Sequence, residues 1–146
     1  MAEGLYDREV YSIVGAAYEV QKVLRGGLSE AIYEEALCRE LEDRGIEADE
    51  QKELTIYYKD KPLEKKYRVD ILCEEDIIIE LKAVEKIISE HRAQLFNYLR
   101  LMDKPVGILI NFFVHGVEIE KYLYDMDNID FVYYNLPKRT FERLEY

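Results

Sequence analysis

The sequence has few of the residues that build sulfur-based or histidine-based metal sites. Among 146 residues there are two cysteines, Cys38 and Cys73, and two histidines, His91 and His115. The cysteines form no CxxC pair, so a cysteine-bound zinc or iron–sulfur centre is not expected. Two histidines are too few for a histidine-rich zinc site. We therefore expect two buried, reduced thiols and, for any metal site, oxygen ligands.

Long apolar runs and linker-like stretches are also missing. The longest apolar runs, 106–114 and 77–79, are far shorter than the roughly 18 residues that span a bilayer. The first residues contain no apolar segment of the kind that directs secretion. No repeat or low-complexity tract occurs. These observations predict a single domain over residues 1–146 that is cytoplasmic and not bound to a membrane.

Positive charge is scarce. The chain carries 20 basic and 31 acidic residues, for a formal net charge of −11. This excess of acid argues against a protein that coats nucleic acid through a basic surface. Basic residues nevertheless concentrate between positions 59 and 68, namely Lys59, Lys61, Lys65, Lys66 and Arg68. An acidic protein can still bind a polyanion through such a segment together with a bound cation.

Hydrophobic periodicity predicts the element order α-α-β-β-β-α-β, followed by a tail. Helices are expected near 7–25, 29–44 and 87–102, and strands near 47–59, 63–73, 77–83 and 106–114. The last of these strands is apolar enough to be central in a sheet. The tail, 117–146, contains a short amphipathic segment and an aromatic strand at 131–134. The fold class is therefore α/β, with a mixed sheet covered by helices.

The third predicted strand, 77–83, contains two charges within a buried pattern. Because strand side chains alternate, residues 77, 79, 81 and 83 are expected to face the core. Ile78, Glu80 and Lys82 then share the opposite face. Burying charged groups is unfavourable unless they are paired or bind a metal. In a chain this rich in Glu and Lys, the alternative is a chance Glu-x-Lys triplet forming a surface ion pair on an edge strand.

Asp70 lies in the preceding strand, where Val69 and Ile71 are predicted to share a face. It can lie opposite Glu80 only if the loop that joins the two strands has an odd number of residues. A three-residue loop, 74–76, brings residue 70 opposite residue 80. Directly opposed side chains have Cβ atoms about 4.5–5.5 Å apart. Two carboxylates that close repel unless a proton or a cation such as Mg²⁺ or Mn²⁺ lies between them. The pattern predicts a divalent-metal site formed by Asp70 and Glu80, with Lys82 beside it.

This arrangement resembles the PD-(D/E)xK nuclease superfamily, in which an Asp ends one strand and a (Glu/Asp)-x-Lys lies on the next. The resemblance implies an α-β-β-β-α-β core, here with an extra N-terminal helix and a C-terminal tail. Arg68-Val69 stands where the superfamily pattern has Pro before Asp70. Residues 27–33 read G-x-x-E-x-x-Y and are similar to the signature of the GxxExxY protein family. Gln94 and Tyr98 are similar to the Q-x-x-x-Y helix motif of RecB-like nucleases.

The resemblance implies a role for each matching residue. The metal, Mg²⁺ or Mn²⁺, would be held by Asp70, Glu80, Glu30 and the Leu81 carbonyl. Lys82 and Gln94 would orient the attacking water or a phosphate. Candidate nucleic-acid contacts are Lys59, Lys65, Lys66, Arg68 and Tyr98. Alternatively, Glu30 could only interact favourably with the dipole at the start of its helix. Gln94 and Tyr98 could simply lie on the same face of a helix. Tyr33 is expected to pack or to hydrogen-bond Glu30.

The function expected from this site is metal-dependent cleavage of nucleic acid, with DNA favoured over RNA. A second possibility is a catalytically silent nuclease fold that binds nucleic acid or protein, which the net charge of −11 favours. A third is an interaction protein that forms homo-oligomers through its aromatic tail strand. A fourth is a metal hydrolase that acts on a small phosphorylated substrate.

Overall fold

The computed structural model describes residues 6–125 together with the backbone of 131–135 and 140–143. These residues form three helices: α1 Asp7–Leu24, α2 Glu30–Asp43 and α3 Ser89–Met102. They also form seven strands: β1 Ala48–Tyr58, β2 Lys61–Cys73, β3 Ile77–Lys82, β4 Val106–Phe113, β5 Gly116–Tyr124, β6 Phe131–Asn135 and β7 Thr140–Arg143. The predicted order α-α-β-β-β-α-β is confirmed, and the tail adds three strands. The first of them, β5, covers the expected amphipathic segment, and β6 covers the expected aromatic strand.

The described strands form one mixed sheet in the order β1-β2-β3-β4-β5-β6-β7. Among them β3 and β4 run parallel, and every other neighbouring pair is antiparallel. The parallel step is made by α3, since parallel neighbours need a crossover connection. β4 is the middle strand, as its apolar sequence predicted. The side chains of β6, on which the oligomer hypothesis depends, lie outside the described residues.

Two apolar clusters lie on opposite faces of the sheet. α1 and α2 pack over Ile77, Ile79 and Leu81, whereas α3 packs over Ile78. The predicted alternation along β3 is therefore confirmed. Cys38 and Cys73 are buried and reduced, as expected. Within the described part of the chain, no helix is both long and apolar enough to cross a membrane.

The β2–β3 hairpin has the parity that the predicted site requires. Around the turn 74–76, Cys73 pairs with Ile77 and Ile71 pairs with Ile79. The ladder ends there, so the expected backbone pairing of residues 70 and 80 is replaced by hydrogen bonds through their side chains. β2 separates from β3 at this point, which opens the sheet to groups from both faces.

β2 changes face at Asp70. Val69 belongs to the cluster under α3, whereas Ile71 belongs to the cluster under α1 and α2. The prediction that Val69 and Ile71 share a face is therefore wrong. The position opposite Asp70 on β1 is Gln51, whose φ of 52° lies in the left-handed region. The hairpin rotates at this pair of residues, and the rotation turns Asp70 toward the end of β3.

Candidate functional site

Asp70 and Glu80 meet where β2 separates from β3. The Glu80 carboxylate accepts a hydrogen bond from the backbone N–H of Asp70 at 3.1 Å. The Asp70 carboxylate accepts one from the backbone N–H of Leu81 at 2.8 Å. Each acid thus satisfies a backbone donor of the other strand that the ended ladder leaves unpaired. These reciprocal bonds hold the two carboxyl groups side by side.

The surroundings disfavour a second negative charge in this pair. Glu80 is only 4% exposed. Burial, and next the nearby charge of Asp70, raise the pKa of Glu80 to about 9, although Lys82 acts in the opposite direction. Glu80 therefore holds a proton at neutral pH unless a cation approaches.

α2 brings Glu30 to the same place. Burial raises the pKa of Glu30, and its next strongest electrostatic neighbours are Lys82, which lowers the pKa, and Asp70, which raises it. Glu30 is the first residue of α2, where an acid also interacts favourably with the helix dipole. Its interaction with residues of two strands shows that Glu30 lies at the opening of the sheet, so the dipole is not its only electrostatic partner.

α3 presents an amide to Lys82. The ammonium of Lys82 donates to Gln94 Oε1 at 3.5 Å, and Gln94 Nε2 donates to the Tyr98 hydroxyl at 3.1 Å. Gln94 and Tyr98 are one helical turn apart and therefore share a face. Tyr98 is 7% exposed and packs edge-on against Tyr67. As a candidate nucleic-acid contact, Tyr98 has little free surface, and its hydroxyl instead holds Gln94.

Two residues that the sequence reasoning missed, Glu34 and Gln51, complete the cluster. Gln51 Nε2 donates to Glu34 Oε1 at 2.7 Å and lies 3.4 Å from Asp70 Oδ1. Burial, a hydrogen bond with Glu50 and the charge of Asp70 raise the pKa of Glu34 to about 8. Glu34 is one helical turn after Glu30, and this spacing was the signal that could have identified it. No comparable signal marks Gln51.

The segment 27–33 has a structural reason for each of its matching residues. Gly27 has a φ of +92°, a backbone conformation that favours glycine. Tyr33 is fully buried and stacks on Phe112 with ring centroids 4.5 Å apart. Its hydroxyl donates to the Arg25 carbonyl and accepts from the Leu28 N–H. Tyr33 therefore packs, as expected, but it holds the loop that leads to Glu30 rather than Glu30 itself.

Asn111 holds the chain just beyond Lys82. β3 pairs with β4 as far as Lys82, opposite Asn111. The fully buried Asn111 amide accepts from the Val84 N–H at 2.9 Å and donates to the Val84 carbonyl at 3.0 Å. It also donates to Glu118 at 3.1 Å. The side chain thus acts as a strand partner for Val84 and fixes the backbone that follows Lys82.

The donor set suits a hard divalent cation. Carboxylate oxygens are the ligands that Mg²⁺ and Mn²⁺ prefer. A bound cation would also stabilise the ionised form of acids whose pKa values are raised by burial and by neighbouring negative charge. Among the described residues, no three acidic, histidine or cysteine side chains already stand at metal-binding positions. Asp70 and Glu80 each direct one oxygen toward a backbone N–H instead. The chemistry therefore fits the ion, and binding would require these carboxylates to turn.

The predicted basic segment lies on the β1–β2 hairpin, and its last residue, Arg68, precedes Asp70 by two positions on β2. Lys59, Lys65, Lys66 and Arg68 are exposed. Arg68 pairs with Glu53 at 3.3 Å, an exposed ion pair of little energetic weight. Lys59 is in the turn, 5.5 Å above the ring of Tyr58.

The arrangement of helices and strands that carries these residues matches a known family. The model of the PD-(D/E)XK nuclease superfamily matches residues 7–122, which is most of the chain. The chain belongs to the PD-(D/E)XK nuclease superfamily. The match is to the superfamily as a whole, so the closer likeness to the GxxExxY family stays a prediction.

This superfamily member also resembles a solved protein in fold. The crystal structure of SSO0001 matches it with a TM-score of 0.50 and 23% sequence identity. The match covers 80% of this chain and 58% of that one, so the chain spans less than two thirds of that protein. At this identity the likeness supports the PD-(D/E)XK nuclease-like fold alone. No curated protein matches the sequence.

Proposed function

We propose that this protein is a metal-dependent nuclease that hydrolyses phosphodiester bonds in nucleic acid, with DNA favoured over RNA as the substrate. The observation that carries the proposal is the meeting of Asp70 and Glu80 at the opening between β2 and β3, with Lys82 next on the same face. Membership of the superfamily supports a nucleic-acid substrate, and PD-(D/E)XK nucleases typically use divalent metals.

Asp70, Glu80 and Glu30 would hold Mg²⁺ or Mn²⁺, with the Leu81 carbonyl as a further ligand. When bound, the ion would supply Lewis acidity and lower the pKa of a water molecule. Lys82 would orient the attacking water and place a positive charge where negative charge builds up on the phosphate. The amide of Gln94, itself held by Tyr98, would fix the direction of the Lys82 ammonium. The exposed bases of the hairpin, Lys59, Lys65, Lys66 and Arg68, would contact the nucleic-acid backbone.

The test is a cleavage screen over single-stranded DNA, duplex DNA, RNA and branched DNA with Mg²⁺ or Mn²⁺. Asp70→Asn, Glu80→Gln and Lys82→Ala should each reduce cleavage on the order of 100-fold or more, with the fold retained. Glu35→Ala and Lys86→Ala are matched controls, because both side chains are exposed and lie outside the cluster. An Asp70→Asn variant that cuts as fast as the wild type would overturn the assignment.

The second candidate is a silent nuclease fold that acts in binding. A specific observation favours it: Asp70 and Glu80 each already accept a hydrogen bond from a backbone N–H of the other strand, in a protein whose net charge is −11. Titration calorimetry with Mn²⁺ separates the two candidates. Binding that Glu80→Gln weakens supports the nuclease, whereas the absence of binding, or binding that the substitution leaves unchanged, supports the silent module.

A further inference from the structure

We propose that the groove between α3 and the β1–β2 hairpin binds a single nucleic-acid strand and leads it to the Asp70–Glu80 site. The proposal rests on the proposed nuclease function and specifies the form of its substrate. It concerns surface residues that lie beyond the catalytic cluster.

Two adjoining cavities make up this groove. The first has a volume of about 350 Å³, lies beside the cluster and is lined by Tyr67 of β2 and by Gln94, Asn97 and Tyr98 of α3. The second has a volume of about 530 Å³ and is lined by Leu54 and Tyr57 of β1 and by residues 100–104. The two cavities adjoin because Tyr67 and Leu54 are directly paired between β2 and β1. The groove therefore runs along α3 from Gln94 to Lys104.

The length of this path fits a short stretch of strand. Gln94 and Met102, the last residue of α3, are eight positions apart, which corresponds to about 12 Å at about 1.5 Å per helical residue, and Lys104 lies two residues further along the chain. That distance accommodates about four nucleotides at roughly 3.4 Å per stacked nucleotide. One end of the path is at Gln94, which contacts Lys82. A strand lying in the groove would thus place a phosphate near the cluster.

The charges of the groove differ from those of the whole chain. Arg100 and Lys104 line its far end, and strand alternation puts Lys52 on the same face of β1 as Leu54. The lining carboxylates are Glu90 and Asp103. The lining thus has as many bases as acids, with Lys52 beside it, in a protein whose net charge is −11. A polyanion is therefore repelled less at this surface than over the acidic molecule as a whole, and Arg100 and Lys104 offer it two cations at the far end.

The aromatic rings of the groove favour a single strand over a duplex. Tyr57 is 63% exposed at the far cavity. Exposed aromatic rings bind single strands by stacking on bases, whereas the bases of a duplex are already stacked on one another. The polar side chains of Gln94 and Asn97 lie between this ring and the cluster. The lining therefore combines a stacking surface with backbone-binding cations, the two features that single-strand binding needs.

The experiment measures binding by fluorescence anisotropy in EDTA, where the metal-dependent reaction cannot proceed. The probes are a labelled single-stranded DNA 12-mer, the RNA of the same sequence and the corresponding DNA duplex. Arg100→Glu with Lys104→Glu is compared with Lys22→Glu with Arg39→Glu, a pair of exposed bases on α1 and α2 with the same change of charge. Tyr57→Ala is compared with Tyr11→Ala, whose ring is 76% exposed on α1. Circular dichroism checks that each variant is folded.

The groove variants should lose affinity for the single strand, and the controls should not. Reversal of Arg100 and Lys104 should weaken binding at least about tenfold and reduce the slope of log K against log salt by about 1.4, since each phosphate contact on a single strand contributes about 0.7. Tyr57→Ala should weaken binding about tenfold, the usual size of one lost base-stacking contact.

Several outcomes would overturn the proposal that the groove binds a single strand. These are no measurable binding of single strands, equal losses in both charge-reversal pairs, or tighter binding of the duplex through Arg100 and Lys104. Groove variants that bind and cleave like the wild type would exclude the groove as the binding site for the strand and would leave the nuclease proposal unaffected. Single-strand binding that depends on Arg100 and Lys104, in a protein that cuts no substrate with either metal, would support the groove and overturn the nuclease.

Discussion

At the scale of single residues, the site combines groups whose charges are controlled by their contacts. The Lys82 ammonium is held by Gln94, and Gln94 is held by Tyr98. Burial, and then the charges of Glu80 and Asp70, raise the pKa of Tyr98 to about 12. Tyr98 therefore keeps its hydroxyl hydrogen at any physiological pH and remains a neutral partner for the Gln94 amide. This chain of contacts indicates a positioning role for Tyr98.

Tyr98→Phe should lower kcat several-fold and leave KM nearly unchanged. The substitution keeps the ring and its contact with Tyr67 but removes the hydroxyl that Gln94 donates to, a hydrogen bond worth about 1 kcal/mol. Steady-state cleavage kinetics measure both constants, with Tyr11→Phe on α1, outside the cluster and the groove, as the control for losing a tyrosine hydroxyl. A rise in KM with an unchanged kcat would contradict the positioning role and restore Tyr98 as a nucleic-acid contact.

At the same scale, the sequence predicts the residues that lie in a strongly patterned strand and misses those whose placement depends on backbone geometry. Glu80 and Lys82 could be found because they interrupt the apolar sequence 77–83. Gln51 could not be found, because its approach to Asp70 and Glu34 depends on a left-handed φ of 52° inside a strand. Glu34 lies between these cases, since its one-turn spacing from Glu30 was readable but its burial was not.

At the scale of elements, the end of β3 is held by a side chain rather than by a longer ladder. Asn111 bonds both backbone groups of Val84 and one oxygen of Glu118. The loop that follows leads into α3, so Asn111 helps to set the position of Gln94 relative to Lys82. The ladder parity that brings Asp70 to Glu80 was predictable from a three-residue loop. The early end of that ladder was not, because it arises from the rotation of the hairpin at residues 51 and 70.

Asn111→Ala should destabilise the fold by about 1–3 kcal/mol. The substitution leaves the part-buried N–H and carbonyl of Val84 and an oxygen of Glu118 without the fully buried Asn111 amide as their partner. Urea unfolding measures the loss, and Asn97→Ala is the control, because Asn97 is exposed on α3 and bonds only the exposed Arg100 in the described contacts. A loss no larger than that of the control would show that water or a neighbouring group replaces the amide.

At the scale of the whole molecule, hydrophobic periodicity predicted the element order, because each face of the sheet is covered by helices and the apolar positions repeat accordingly. Local patterns could not tell which face each helix covers. The opening between β2 and β3 therefore joins groups from α2 on one face with groups from α3 on the other, a juxtaposition that depends on the full topology. The buried acids collected there couple the stability of the whole fold to pH.

The metal-free protein should be less stable at pH 9 than at pH 7. Burial, and then nearby negative charge, raise the pKa of Glu80 to about 9 and burial helps raise that of Glu34 to about 8. A raised pKa means that the folded state binds more protons than the unfolded state at pH values between the two pKa values. This stabilisation is therefore complete below the unfolded pKa near 4.5, and it is lost progressively as pH rises from there through 8 to 9. The difference in protonation of Glu80 between the folded and the unfolded state should by itself lower the free energy of unfolding by about 2 kcal/mol between pH 7 and pH 9.

Urea unfolding across this pH range measures the effect, with Glu80→Gln and the exposed Glu35→Gln compared in parallel. Glu80→Gln should flatten the pH dependence because the neutral amide cannot ionise, whereas Glu35→Gln should leave it unchanged. Mg²⁺ should stabilise the wild type more at pH 9 than at pH 7, since an ion and a proton compete for the same carboxylate. An equally steep profile in Glu80→Gln would assign the pH dependence to other groups, and equal stabilisation by Mg²⁺ at both pH values would place the ion away from Glu80.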